Sequence, residues 1–354
     1  MSRFLSEAYQ DLEEYVPGEQ PQDRKYIKLN TNESPYPPSE AVLEAICREE
    51  VQKLCLYSDP ESRLLKQHLA ELYGVLPENV FVSNGSDDIL NFAFMAFGKA
   101  RGVAYPDITY GFYKVFAQLH GIESEVIPLS ADFTIDTEAY LNKGKMVVIA
   151  NPNAPTGIAL SRDEIERVVK ENSDSVVLID EAYVDFGAES ALPLIEKYEN
   201  LLVVQTFSKS RSMAGARLGF CFADAAIIRD LEKIKYSTNP YNVNRLTQAA
   251  GVAALSENGY YTANSQKIMR AREYTEKALL ELGFTVLPST ANFVFAKHKT
   301  VSGEEIYRRL KDNGVLVRHF SSERIKDFNR ITIGTMVDMQ KMIYILKSIV
   351  LEDK

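Results

Sequence analysis

Seven short apolar runs punctuate residues 79–222: NVFVS (79–83), GVAY (102–105), SEVIPL (124–129), KMVVIA (145–150), SVVLI (175–179), NLLVVQ (200–205) and RLGFCF (217–222). Several show no polar alternation, as strands covered on both faces do. The stretches between them read as helices. DDILNFAFMAFG carries Ile89, Leu90, Phe92, Ala93, Phe94 and Phe97, dense enough for a buried helix. SRDEIERVVKENS opens with Ser161 and Glu164 in capping-box spacing and sets Ile165, Val168 and Val169 on one face. Strands alternating with helices demand crossover connections, so the expected class is α/β, a large domain with a mostly parallel doubly wound sheet.

The pattern changes after about residue 240. A long amphipathic stretch (about 260–282) leads into FTVLP and NFVFAK, then a helix at SGEEIYRRLKDNG with Ser302 and Glu305 in capping-box spacing. VLVRHF, RITIG and a final helix, MQKMIYILKSIV, complete the chain. Strand pairs without intervening helices predict a smaller α+β C-terminal domain. The expected division is an N-terminal arm (1–35), a large domain (36–240) and a small domain (241–354), in keeping with roughly two domains for 354 residues.

Several function classes are excluded. Acids outnumber bases 49 to 40 and no dense Lys/Arg block exists, which argues against a nucleic-acid partner. The N-terminal MSRFLSEAYQDLEEYVPG lacks the apolar centre of a secretory signal, and the longest apolar runs are far too short for a bilayer. Cys47, Cys55 and Cys221 form no CxxC pair and fit reduced thiols, so a cytoplasmic location is expected. His68, His120, His298 and His319 are scattered without ligand spacing, so no metal is expected. No GxxxxGK[ST] is present, which excludes a P-loop.

In an open parallel sheet, ligands collect beyond the C-terminal strand ends. There the chain places NGSDD, PDITYGFY, NPNAPTG, DEAYVDF and TFSKSRS. Each alone is ordinary turn chemistry. Together they bring a lysine without a neighbouring acid, an aspartate, tyrosines and an anion-binding turn to one edge.

NPNAPTG, DEAYVDF and SKS…AGARLG, in that order, resemble the fold type I pyridoxal-phosphate aminotransferases over nearly the whole chain. The resemblance implies an aspartate-aminotransferase-like fold and pyridoxal 5'-phosphate as cofactor. Lys209 would carry the cofactor aldehyde as a Schiff base, which needs a neutral amine, and would then move the proton during transfer. Asp180 would hold the pyridine nitrogen protonated. Asn151 and Tyr183 would hydrogen-bond the phenolic oxygen. Tyr110 would stack on the ring, with Tyr113 as its competitor for that place. Gly85, Ser86 and Asp87 would offer backbone N–H groups to the phosphate at a helix start, with Ser208 and Arg217 completing the cup. SKSRSMAG stands where many relatives have an aromatic-glycine pair, which leaves the role of Arg211 open.

Within that family EEYVPG, KLNTNESPYPP, LYSDPES, PYNVNRLTQ, VLVRHF and NRITIGT resemble the histidinol-phosphate branch. The likeness implies amino transfer between L-histidinol phosphate and 2-oxoglutarate. Arg318, Arg330 and Tyr15 would bind the phosphate or carboxylate, while Asn32 and Glu33 would line the imidazole side. Tyr57 would reach the cofactor phosphate of a neighbouring subunit, implying a homodimer with shared sites. An aromatic-amino-acid aminotransferase or a threonine-phosphate decarboxylase would share the whole cofactor constellation. A cofactor-sensing DNA-binding regulator would need an added domain, and only a short acidic arm precedes the fold.

Overall fold

The computed structural model describes residues 4–352. The first three residues of the expected arm and the last two of the expected small domain lie outside them. After a two-residue strand, β1 (Ile27–Lys28), each apolar run becomes a strand: β2 (Val80–Ser83), β3 (Val103–Pro106), β4 (Ser124–Ile127), β5 (Met146–Ala150), β6 (Val177–Asp180), β7 (Leu201–Thr206) and β8 (Gly219–Ala223). They form one sheet in the order β2-β8-β7-β6-β5-β3-β4. Every pairing is parallel except those of β8, which runs against both neighbours.

The absence of alternation has its cause in this sheet. Val147, Ile149, Val177, Ile179 and Val203 enter the core on one face, and Met146, Val148, Leu178, Leu202 and Val204 enter the core on the other. All ten are almost wholly buried. Truncating one such residue, Ile149, to alanine would cost about 2–5 kcal/mol and loosen the strand that ends at Ala150. The helix Arg162–Lys170 starts with the expected reciprocal capping box. At Ser302 only the serine half forms, its hydroxyl accepting from the Glu305 N–H at 3.2 Å.

A second sheet has the order β12 (Arg318–His319), β13 (Asn329–Thr332), β10 (Phe293–His298), β9 (Phe284–Val286), antiparallel throughout. VLVRHF is not one strand. Its first half is β11 (Val315–Leu316), which pairs in parallel with β1 and stitches the arm to the C-terminal region. Nor does packing divide at residue 240. Val243, Ala250, Ala254, Leu255 and Tyr261 pack into the core of the large sheet, and the second core takes over from Ile268 along the helix Asn258–Glu281. Ala154, Tyr183 and Phe186, from the strand-end turns of the large sheet, belong to that second core. The turns are therefore held from both sides.

Candidate active site

Two cavities meet at the C-terminal edge of the large sheet. The first, of about 440 Å³, is lined by Ser86, Asp87, Tyr110, Asp180, Tyr183, Ser208, Lys209, Arg217 and Glu33 among others. The second, of about 410 Å³, shares Tyr110, Tyr183 and Lys209 and adds Tyr15, Asn32, Arg318 and Arg330. Both have the size of small-molecule sites.

Lys209 sits in the turn after β7. Its Nζ donates to the Thr31 carbonyl at 3.2 Å and lies 5.7 Å from the centre of the Tyr183 ring. No carboxylate pairs with it among the described residues. Asp180, the last residue of β6, is 5% exposed and faces the same cavity. Burial pushes its carboxyl up to about 6, against the Tyr113 hydroxyl, which donates to Oδ2 at 2.8 Å. Its Oδ1 accepts a long bond from Ala182 N–H at 3.3 Å.

The anion cup lies at the start of the helix Ser86–Ala93. Gly85 has φ of +85°, and a Cβ there would stand 2.7 Å from Arg217 Nη2. Gly219 lets β8 pass the same turn, since a Cβ would strike the Ser86 backbone nitrogen. The Gly85 N–H, expected to face an anion, instead donates to the Ser83 carbonyl at 2.9 Å. Donors left for the cup are the first helical N–H groups, the Ser208 hydroxyl and Arg217. The Asp87 carboxylate does not stand idle among them. Its Oδ2 pairs with Arg217 at 2.9 Å and its Oδ1 accepts from Tyr110 at 2.8 Å, fixing a guanidinium and a ring edge at once.

Of the two tyrosines that could face a ring, Tyr110 lines both cavities. Tyr113 is fully buried behind Asp180 and lines neither, so it does not compete. Asn151 is committed in part to its own turn. It is fully buried, its amide closes a turn by accepting from Leu160 N–H at 2.7 Å and donating to Leu160 O at 3.2 Å, and it is not on the cavity wall. The turn takes Oδ1 and one of the two Nδ2 hydrogens, leaving the second outside it. Tyr183 does reach the cavity, and its hydroxyl accepts from Asn32 Nδ2 at 2.9 Å. Asn32 is 1% exposed with φ of +56°, and its Oδ1 accepts from Thr332. It orients Tyr183 as well as lining the second cavity.

Arg330, on β13, donates Nη2 to the Asn30 carbonyl at 3.1 Å, while its buried Nε has no partner. No acid pairs with it among the described residues. Removal from water pulls its pKa down, partly offset by the phenols of Tyr183 and Tyr15. Arg318 is committed differently. Both its Nη groups donate at 3.0 Å to the arm, to the carbonyls of Pro17 and Val16. Tyr15 stacks on Phe112 at 4.1 Å and meets Tyr110 edge-on at 6.2 Å. Burial raises its hydroxyl pKa against the charges of Arg330 and Arg318. Glu33 lines the first cavity with its carboxylate on Lys28. Burial pushes that carboxyl up, but bonds from Lys28 and Thr31 with the Lys28 and Lys209 charges outweigh it and bring it below the usual range.

Two expected or open positions lie elsewhere. Tyr57 is 78% exposed and stacks on Tyr241 at 4.4 Å, away from both cavities. Arg211 is buried under the Lys209 turn, donating to Asn258 at 3.0 Å between the rings of Phe207 and Tyr261. Sequence reasoning missed the Asp87 clamp and the Tyr113–Asp180 bond. The only signal for the second was the three-residue spacing of two tyrosines at a helix start.

The family model for class I and II aminotransferases matches residues 24–349. Among curated relatives, the histidinol-phosphate aminotransferase of Brachyspira hyodysenteriae is 49% identical over 98% of this chain and 100% of its own length. That of Clostridium acetobutylicum is 47% identical over 96% of this chain and 97% of its own. The crystal structure of histidinol-phosphate aminotransferase from Sinorhizobium meliloti in complex with pyridoxal-5'-phosphate matches with a TM-score of 0.88 over 100% of this chain and 99% of that one. Its 24% identity speaks for the fold alone.

Proposed function

Since the chain belongs to the class I and II aminotransferase family, we propose that it moves an amino group between L-histidinol phosphate and 2-oxoglutarate, giving imidazole acetol phosphate and glutamate, with pyridoxal 5'-phosphate as cofactor. The observation that carries this reading is the pairing, across one cavity, of an amine without an acid partner, Lys209, and a buried carboxylate, Asp180. The donor set fits the cofactor: Arg217, Ser208 and the helix start for the phosphate, Asp180 for the ring nitrogen, Tyr183 for the phenolic oxygen and Tyr110 for the ring face.

Pyridoxal phosphate, when bound, supplies an aldehyde that condenses with amines and a pyridine ring that accepts the electron pair released at the substrate carbon. The chain does the rest. Arg217 and Ser208 anchor the phosphate through charge-assisted bonds. Asp180 holds a proton on the ring nitrogen through its free lone pairs. Lys209 Nζ takes the proton from the substrate carbon that bears the amino group and returns one in the second half-reaction. Arg330, lacking an internal acid, binds the phosphate of one substrate and a carboxylate of the other, because a guanidinium fork matches both. Tyr15 and Arg318 close the arm over that anion and exclude water.

The enzyme acts as a homodimer, with Tyr57 donating to the cofactor phosphate of a second copy. Support comes from the exposed apolar residues around it, Leu43, Ile46, Val51, Leu54 and Leu56, on a segment with no role in its own site. It works in the cytoplasm. No helix among the described residues is long and apolar enough to cross a membrane, and its cysteines are free.

The test is a panel of amino donors with 2-oxoglutarate. Histidinol phosphate should exceed phenylalanine in kcat/KM by about a hundredfold or more. Carbon dioxide released from threonine phosphate, without amino transfer from histidinol phosphate, would replace this reading by the decarboxylase.

A further inference from the structure

We propose that Tyr113 is a positioning residue for Asp180: it anchors one oxygen of that carboxylate from behind the site, so that the remaining lone pairs meet the cofactor's ring nitrogen in a fixed plane. This rests on the cofactor reading above.

Tyr113 is the second residue of the helix Phe112–Leu119 and has no exposed surface. A phenol can donate one hydrogen bond, and this one goes to Asp180 Oδ2 at 2.8 Å. The ring cannot swing away. Phe94 lies 6.3 Å off it, Tyr105 6.1 Å, and Tyr110 meets it edge-on at 5.7 Å and 85°. The donor is therefore placed by packing before any ligand arrives. Asp180 needs such a donor, for its other bond, to Ala182, is long.

The charged and titratable groups facing Asp180 come from several elements. Asp87, on the helix Ser86–Ala93, disfavours the anion, and Lys209, in the turn after β7, favours it. The phenols of Tyr110 and Tyr183 face Tyr113. Burial acts against the carboxylate more strongly than any of these. The next residue, Glu181, gives no help, since its carboxylate is taken by Ser190, Ala191 and Gln205. Without Tyr113, a buried carboxylate would face the ring with one oxygen unsatisfied and free to rotate.

Tyr113→Phe keeps the packing and deletes only the donor. The probe is pyridoxine phosphate, which lacks the aldehyde and cannot form an imine with Lys209, titrated into cofactor-free protein between about pH 5 and 8.5. The acid limb of its affinity should move up by about one to two pH units in the variant. The ultraviolet band of the bound pyridine should shift toward the unprotonated ring. In an Asp180→Asn background the same substitution should add nothing, as a double-mutant cycle requires. A ring-fluorinated tyrosine at position 113, a stronger donor, should move the limb the other way, and it serves as the test if Tyr113→Phe does not fold. An unchanged limb and band in both variants would overturn the positioning role and leave the cofactor site standing. Failure of the wild-type protein to bind either pyridoxal phosphate or pyridoxine phosphate would overturn the reading of the site itself.

Discussion

Around the first cavity, Asp180 and Ser208 are less than a tenth exposed, the Asp180 carboxylate is pinned by Tyr113, and the Asp87 carboxylate is shared between Arg217 and Tyr110. Around the second, Tyr15 is 39% and Val16 67% exposed, and the arm is held by Arg318 on its backbone and by an exposed Glu13–Lys114 pair at 2.6 Å. The first is assembled mainly from the ends of neighbouring strands in one sheet, with Gln20, Thr31 and Glu33 of the arm along one side. The second joins an arm, a helix start and the distant strands β12 and β13. A cofactor that stays through every turnover suits donors preset by their neighbours, as Tyr113 presets Asp180 and Asp87 presets Arg217. Substrates that exchange suit a wall whose contacts are few and exposed, able to open at modest cost.

That contrast can be broken most severely at the shared lysine. Lys209→Ala should lower kcat by about 10⁴-fold or more and remove the visible absorption that borohydride bleaches in the wild type. An active variant would leave the chemistry without its centre. Next comes Arg330→Ala. Removing a partly buried guanidinium from its anion should cost about 2–5 kcal/mol, read as a raised KM for the phosphorylated substrate. Pyridoxal phosphate affinity should change far less, and equal losses in both would show that the cavities are not separable in this way.

A smaller effect concerns pH. Burial raises both Asp180, to about 6, and Glu181, to about 7. The folded, cofactor-free protein thus holds more protons than the unfolded chain between about pH 4 and these values. Its stability should fall as pH rises through that window, and the loss should be complete above them. Melting temperature should accordingly be higher near pH 6 than near pH 8, and Glu181→Gln should shrink the difference. A higher melting temperature at pH 8 would contradict the assigned direction. The smallest effect is expected at the latch. Glu13→Gln breaks an exposed pair worth about 0.2–1 kcal/mol, so KM should rise less than about fivefold, more at low salt than at high. A loss as large as that of Arg330→Ala would mean that the second wall is no more yielding than the first.

The strands were legible because burial on both faces leaves an unbroken apolar signature, as in MVVIA and LLVVQ. That Asp180 and Lys209 gather at one edge was legible because each stands at or just past the C-terminal end of a strand of the parallel sheet. The turn that Asn151 closes was not, since an N-P sequence leaves open which backbone groups the amide meets, and here they are those of Leu160. Arg318 was expected to bind an anion, and its bonds to the arm were not foreseen, because backbone carbonyls leave no mark in the residue pattern.

By itself the sequence determined the order of the large sheet's seven strands along the chain, its mostly parallel class and the identity of the groups at its edge, because periodicity and turn chemistry act over a few residues. Only the tertiary structure decided which tyrosine faces the cavity and which stands behind Asp180, that Asp87 clamps Arg217, and that β1 binds the arm to β11. Those outcomes depend on distances between segments up to about three hundred positions apart, as between Pro17 and Arg318. Such distances are set by how the two cores pack, which no local pattern encodes.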